Sequence, residues 1–420
     1  MQVSYPDFLR SNANWLAAGF MLTFASSFGQ TFFISVFAGE IRGAFGLTHG
    51  QWGTIYTLAT TGSAAVMIWV GALTDRLRAR TLGITVLAGL AAACVLMSQI
   101  TALWALVGTI FLLRLMGQGM LGHVAMVSMA RWFVATRGRA IGVAGLGVAL
   151  GEAALPVAFV AAMGFVDWRY LWVVAAVALC ALIPVLARLL RRERTPQAMS
   201  AGSESVGMQG RHWRRGEVLR HWLFWLMAPA LIGIAAFNTA IFFHQVHLSE
   251  IKGWSHVQLV ALFPVFTAVS VVSLVASGWA VDRFGTGRLM RFYLLPLAAG
   301  YVVLAMADSP LGAALAFLAM GLTQGAHATL SSAIWATYFG TRHLGAIRAL
   351  ASAAMVLGTA LGPGITGVLI DAGIGFEAQL VAMAGYFLVA AGCAALAAVR
   401  ADRLAAASAS AAGKIDVIGP

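Results

Sequence analysis

The sequence predicts an all-α membrane protein of twelve transmembrane helices, arranged as two pseudo-symmetric six-helix bundles. Three observations carry this expectation. Of the 420 residues, 60% are hydrophobic and only 10% charged, against about 25% charged in soluble domains. No soluble core could hide that much apolar surface, so lipid is the expected solvent for most of the chain. Second, the apolar residues fall into twelve runs of about 20 residues, each long enough to cross a hydrocarbon layer of about 30 Å as a helix. A helix satisfies its own backbone there, which irregular chain cannot do. Third, the second six runs repeat landmarks of the first six at a nearly constant shift.

The first set of runs spans 15–38, 52–73, 81–100, 103–130, 140–163 and 169–188. The second spans 221–248, 257–280, 289–307, 311–338, 347–370 and 377–400. Residues 1–188 therefore form one expected bundle and 221–400 the other. Between them, 189–220 is polar and rich in Arg, Ser and Gly, as a cytoplasmic linker would be, with a short surface helix near 211–220. The Ala- and Ser-rich stretch 401–420 reads as a mobile cytoplasmic tail. Polar residues 1–14 lead straight into the first run without a basic segment or a small-residue cleavage site, so no secretory leader is expected.

Charge sets the orientation. The net charge of +12 lies in short loops, not on an amphipathic face or in a basic tail, which argues against nucleic acid as a partner. With the N-terminus inside, the outer loops hold only Arg42, Arg169 and Lys252. Arg114 lies within a run, which leaves 23 of the 27 basic residues on the cytoplasmic side. The same outer loops carry Glu40, Asp167, Glu250, Asp308, Asp371 and Glu377. This asymmetry predicts a multi-pass protein of the plasma (inner) membrane with both termini cytoplasmic. Cys94, Cys180 and Cys393 lie in apolar runs without metal-ligand spacing, so they read as small buried hydrophobes, and no metal or cofactor is expected.

The repeat is specific. Trp15-Leu16, Phe32-Phe33 and Glu40-Ile41 match Trp225-Leu226, Phe242-Phe243 and Glu250-Ile251 at a shift of 210. Thr48-His49-x-Gln51 matches Ser255-His256-x-Gln258 at 207, and both read as capping boxes opening the second helix of a half. Gly71 and Asp75-Arg76 match Gly278 and Asp282-Arg283 at the same shift. Gln118-Gly119 and Trp132-Phe133 match Gln324-Gly325 and Tyr338-Phe339 at 206. Repeated halves point to a binding site near the bilayer midplane, at their interface.

Gly71-Ala-Leu-Thr-Asp75-Arg76-Leu-Arg-Ala-Arg80, its echo Gly278-Trp-Ala-Val-Asp282-Arg283-Phe-Gly285-Thr-Gly-Arg288, and Arg114-Leu-Met-Gly117-Gln-Gly119 together resemble motifs of the major facilitator superfamily. The resemblance spans about residues 15–400. It implies the major facilitator fold and alternating access by rocking of two bundles. It also implies that Asp75, Arg76, Asp282 and Arg283 form a cytoplasmic gate. Arg137-Gly-Arg139-Ala-Ile-Gly142, followed by glycines up to Pro156, looks most like the bacterial monocarboxylate and oxalate/formate-type branch. Two features depart from these patterns. The eighth and eleventh runs lack the basic residue that holds a carboxylate in that branch, apart from Arg348 at an edge, and Arg78 stands where the family has Gly.

Arg114 and Glu152 are the formally charged residues deep in the apolar runs. Each costs about 2.5–3.5 kcal/mol at a helix centre, so each needs a reason. Counted from opposite ends they lie about 16 and 18 Å deep, which places them within about 4 Å of one level. An intramembrane ion pair is therefore expected, serving either proton coupling or static bracing. Helical phase puts Arg114, Gln118 and Leu121 on one face of the fourth helix. Gln324, His327, Ser331 and Trp335 line its counterpart, the tenth. Ser27, Gln30, Thr31 and Ile34 make a stripe on the first helix. Asn238, His244 and Gln245, with His247 nearer the edge, are the polar residues of the seventh. Met116, Met120 and His123 form a further stripe that suits packing better than a soft metal. Gly142, Gly145, Gly147 and Gly151 in the fifth helix, and Gly358, Gly362, Gly364 and Gly367 in the eleventh, permit close helix contact, while Pro156 and Pro363 can kink those helices.

The expected function is a proton-coupled carrier, a symporter, for a small organic solute, above all an organic anion such as a monocarboxylate. Arg114, Gln118, Gln30, Asn238, Gln324, His327, Ser331 and Trp335 would contact the solute, and Glu152 with Arg114 would carry the proton coupling. Its partners would be the solute, protons and the lipid bilayer, for a chain acting as a monomer. An efflux carrier for amphipathic compounds is the alternative, although the fifth helix reads Gly147-Val-Ala-Leu-Gly151-Glu152 in place of the efflux signature. A membrane enzyme would need clustered nucleophiles, acids or histidines that the sequence does not display, and a non-transporting sensor is the remaining class.

Overall fold

The computed structural model describes residues 5–133, 136–192, 206–340 and 342–415. Among these residues the secondary structure is helical, with no strand. Eleven helices are long and apolar enough to cross a membrane, and one bent pair makes a twelfth span. In chain order these are α1, the pair Ala13–Gly29 and Thr31–Phe45 bent by 47°; α2, His49–Val70; α3, Ala79–Gln99; α4, Leu103–Trp132; α5, Arg137–Met163; and α6, Trp168–Leu189. The second set is α7, Trp222–Phe243; α8, His256–Phe284; α9, Thr286–Met306; α10, Pro310–Phe339; α11, Ala346–Asp371; and α12, Phe376–Leu404. Large apolar side chains such as Ile68, Val272, Leu311 and Val389 stand exposed on helix faces. Lipid, not water, is the medium that tolerates such faces.

Local sequence explains where the helices start. Thr48 accepts from the Gln51 amide and Gln51 returns a bond to Thr48 N, a complete capping box. Ser255 and Gln258 repeat it in the second half. Two expected continuous helices are interrupted. Gln30 has extended backbone (φ −85°, ψ 156°), which breaks α1 beside Gly29, a poor helix former. His244 (φ −93°, ψ 22°) separates α7 from a short helix Gln245–Ile251. The expected tail is also corrected: the helix that begins at Phe376 continues past Arg400 to Ile415.

The chain forms two compact units that divide within the linker, but two later segments join the first unit. One comprises residues 1–201, 241–263 and 363–371; the other comprises 202–240, 264–362 and 372–420. Each contains one version of the same crossing. In the first, α5 meets α1 so closely that a Cβ on Gly147 would lie 2.1 Å from Phe20 O, and one on Gly151 2.0 Å from Ser27 Oγ. In the second, α11 meets α7, with Gly362 facing Ala236 O at 2.2 Å by the same measure. Close backbone approach at small residues is what membrane helices use where no hydrophobic drive holds them together. Gly142 and Gly145, expected to share this role, do not: a Cβ on either would meet no atom of the described residues within 4 Å beyond its own helix.

The middle of the linker, 193–205, lies outside the described residues. Its last part belongs to the second unit: Trp213 N donates to Phe339 O at 3.1 Å, and the Trp213 indole meets the Phe339 ring edge-on. The short helix expected near 211–220 is Arg215–Leu219. Glu217 caps it by accepting from Arg214 N at 2.6 Å, and that bond holds the Glu217 carboxyl below the usual carboxylate range.

Candidate functional site

The first unit builds a charged site at the break in α1. Gly29 and Gly117 bring α1 and α4 into backbone contact; a Cβ on Gly29 would lie 2.1 Å from Leu113 O and 2.7 Å from Gly117 Cα. Along α4, residues Arg114–Leu121 form a wide π-helical stretch, a local distortion often found at functional sites. These two irregularities put the Arg114 guanidinium against the frayed end of Ala13–Gly29. One terminal nitrogen, Nη1, donates to Gly29 O at 3.2 Å and to Thr31 Oγ1 at 3.3 Å. Thr31 and Tyr56 share a hydrogen bond, and the guanidinium lies 5.2 Å from the Tyr56 ring centroid. Arg114 is only 2% exposed, and its Nε is buried without a hydrogen-bond partner.

The expected partner is different. Arg114 is held by Gly29, Thr31 and Tyr56, and Glu152 is not among those groups. Glu152 stands half-buried on α5, next to the Gly151 that meets Ser27. The depth estimate fixed a level in the membrane but no azimuth, so it could not say which helix would face Arg114. The stripe read on α4 shifts for a related reason. A π turn advances five residues where an α turn advances four, so Arg114, Gln118 and Leu121 do not keep the phase of a regular helix. Gln118 and Gln30 are half-buried, and Leu121 is fully buried. Met116 packs on Gly89, and Met120 is buried, as a packing stripe should be.

The second unit builds a neutral site. Tyr301 Oη donates to Asn238 Oδ1 at 2.9 Å, and Asn238 Nδ2 donates to Gln324 Oε1 at 3.0 Å. The direction of this chain leaves both N–H groups of the Gln324 amide as donors. One turn along α10, His327 is buried, lies parallel to the Tyr293 ring at 6.1 Å, and has no hydrogen-bond partner on either ring nitrogen. Ser331 turns back to its own helix, donating to Ala328 O at 3.5 Å. Trp335 is buried between the Phe224 and Phe339 rings. Tyr56 and Tyr301, which complete the two sites, were not singled out in the sequence. Tyrosine within a membrane helix is the signal that was available.

Of the residues expected to form a gate, Arg76, Asp282 and Arg283 are exposed at helix ends, and the Asp75 side chain lies outside what the structure describes. Gly285 (φ +80°) makes the sharp turn from α8 into α9. Its counterpart Arg78 has an ordinary backbone (φ −65°, ψ 141°), so the Arg in place of Gly carries no strain.

A third polar cluster, within the first unit, is a latch formed by the ends of α1, α2, α7, α8 and α11. Gln245 Nε2 donates to Phe32 O at 3.1 Å and to Ser35 Oγ at 2.7 Å. Ser35 Oγ donates to Phe242 O at 2.6 Å. The Asp371 carboxylate accepts from His49 N at 3.1 Å and Gly50 N at 2.8 Å, capping α2 from the end of α11. His244 Nε2 lies 2.9 Å from Thr366 Oγ1 and 3.2 Å from Pro363 O. Phe243 stacks on Trp52 and meets Tyr56.

A sequence model of the family described as Major Facilitator Superfamily matches residues 19–319 and 265–418. Monocarboxylate transporter 13 of Bos taurus is 27% identical over 270 residues, 62% of this chain and 60% of that protein. The match thus spans under two thirds of the relative's length. A bacterial homolog of the human lysosomal transporter Spinster, solved in an inward-facing and unoccupied conformation, superposes with a TM-score of 0.70 at 16% identity, covering 96% of this chain and 99% of that one. The nucleoside transporter NupG superposes with a TM-score of 0.68 at 13% identity, covering 91% and 99%. At these identities the two structures speak for the fold alone.

Proposed function

We propose, from the premise that this chain belongs to the Major Facilitator Superfamily and is a multi-pass transporter of solutes, that it carries a small organic anion of the monocarboxylate class. It does so across the plasma membrane, by alternating access, as a proton-coupled monomer with both termini in the cytoplasm.

The observation that carries this reading is the buried edge of Arg114. Its two hydrogen bonds leave from one terminal nitrogen, and Nε has no acceptor. A guanidinium offers parallel donors that match the two oxygens of a carboxylate. A charged donor left unsatisfied in the membrane is costly, and a solute carboxylate removes that cost. Gln30 and Gln118 would contact the rest of the solute from the first unit. Gln324, with its two remaining donors, Asn238, His327, Ser331 and Trp335 would serve from the second. Glu152 would take the proton, and Asp75, Arg76, Asp282 and Arg283 would close the cytoplasmic side. The Bos taurus relative, named for monocarboxylates, supports the same solute class.

The test is a thermal-shift and proteoliposome uptake series with small carboxylates. Wild-type protein should be stabilised and should accumulate the solute when the outside is acidified. Arg114→Ala should lose both responses, and Glu152→Gln should keep exchange but lose accumulation. Equal stabilisation of wild type and Arg114→Ala by carboxylates would overturn the assignment. The neutral character of the second site favours a second reading, an efflux carrier for amphipathic compounds. Stabilisation by uncharged amphiphiles and not by carboxylates would select it.

A further inference from the structure

The latch contains more titratable groups than its hydrogen bonds require. The His49 ring centroid lies 4.2 Å from that of His247 and 6.1 Å from that of His244. All three rings sit where α2, α7 and α11 meet. The charged groups that act on them are few. Arg42, at the end of α1, faces all three. Asp371, at the end of α11, faces His49, and the Glu250 carboxylate lies 3.9 Å from His247 Nδ1. His256, which opens α8, meets Gln245 Oε1 at 3.2 Å, and Lys252 caps the end of the short helix Gln245–Ile251, so both are further titratable groups on this segment.

We infer that His49, His244 and His247 form a proton-binding site whose filling parts the latch. With neutral rings the cluster holds one positive group, Arg42, against two carboxylates, Asp371 and Glu250. A first proton is therefore balanced. The second and third are not, and they fall on rings in contact, where like charges repel. His244 is also buried and held against Thr366 Oγ1 and Pro363 O. When the segments separate, each ring reaches water and takes its ordinary pKa of about 6.5. The parted state thus binds more protons than the closed one, and linkage makes acid favour parting. Closure is fully supported above about pH 6.5 and is lost as pH falls below it. The inference rests on the transporter reading in one respect: the latch end is taken to face outside, so that external acid opens the path by which the solute enters.

Hydrogen exchange in lipid nanodiscs tests this without any solute. After correction for intrinsic chemistry, amides in 46–56, 241–263 and 363–371 of the wild type should exchange about 100-fold faster at pH 5.5 than at pH 7.5, about tenfold for each of two protons. The double variant His49→Gln/His247→Gln should show at most about a tenfold change, that of His244 alone. Residues 222–240 and 346–362, which form the α7–α11 crossing, should stay protected throughout. A 100-fold response that survives in the double variant, an absent response in the wild type, or loss of protection at the crossing would each overturn the inference. Because the readout needs no carboxylate, failure of the solute assignment and failure of the proton site are separate results.

Discussion

The repeat places α4 and α10 in register, and the two helices have diverged at the site. Arg114 corresponds to Met320, Gly117 to Thr323 and Gln118 to Gln324. The charged member is distorted into a π-helical stretch against a broken α1. The neutral member lies in an unbroken helix, Pro310–Phe339, where Met320 is fully buried and Thr323 donates to Tyr293 O at 2.8 Å. A buried methionine asks nothing of its neighbours beyond shape. A buried guanidinium needs acceptors, and a regular helix has none to spare. The break at Gln30 frees the Gly29 carbonyl, and the wide turn aims Arg114 at it. The comparison teaches that, between these two matched helices, irregular backbone accompanies the charge.

Four tests, using six substitutions, break or sharpen that comparison. Arg114→Ala should weaken carboxylate binding about 100-fold, as removal of one side of a buried charge pair does, whereas Met320→Leu should stay within about threefold. Titration by thermal shift measures both, and equal losses would end the distinction. Gly117→Ala should destabilise by about 1–3 kcal/mol through overpacking on Gly29, read as a lower unfolding midpoint in detergent. The change should also remove carboxylate stabilisation, because it moves Arg114 off the Gly29 carbonyl. Asn238→Ala should cost about 1–3 kcal/mol by stranding the buried Tyr301 hydroxyl, and adding Tyr301→Phe should recover part of the loss in the same melting assay. His327→Phe should change stability by no more than about 1 kcal/mol, and upward, because neither ring nitrogen has a partner to lose. A fall in uptake at unchanged melting temperature would then mark His327 as a solute contact.

Much of this architecture was written plainly in the chain. Composition and run length gave the spans, and Thr48/Gln51 with Ser255/Gln258 gave helix starts that the structure reproduces. Counting residues gave an expected level for Arg114 in the membrane. What it touches did not follow, because a helical wheel assumes a straight, regular helix and both α1 and α4 depart from that. Ser27, Gln30 and Thr31 were legible as a polar stripe, yet the break that turns Gln30 out of the helix depends on Arg114, which lies 84 residues away. The latch was less legible still. His244 and His247 were visible as polar residues of the seventh helix, but their grouping with His49 and Asp371 needs three segments that are adjacent only in space.

The two loop motifs carry one more lesson, in what can be exchanged between them. Gly285 occupies a backbone region that side-chain-bearing residues rarely enter, while Arg78, at the matching position, does not. A graft of residues 282–288 into the first loop asks nothing unusual of that chain. The reverse graft would force an arginine to φ near +80°. Two segments that align letter by letter are thus interchangeable in one direction only, and a chimera library cut at these loops would show it as a one-sided gap.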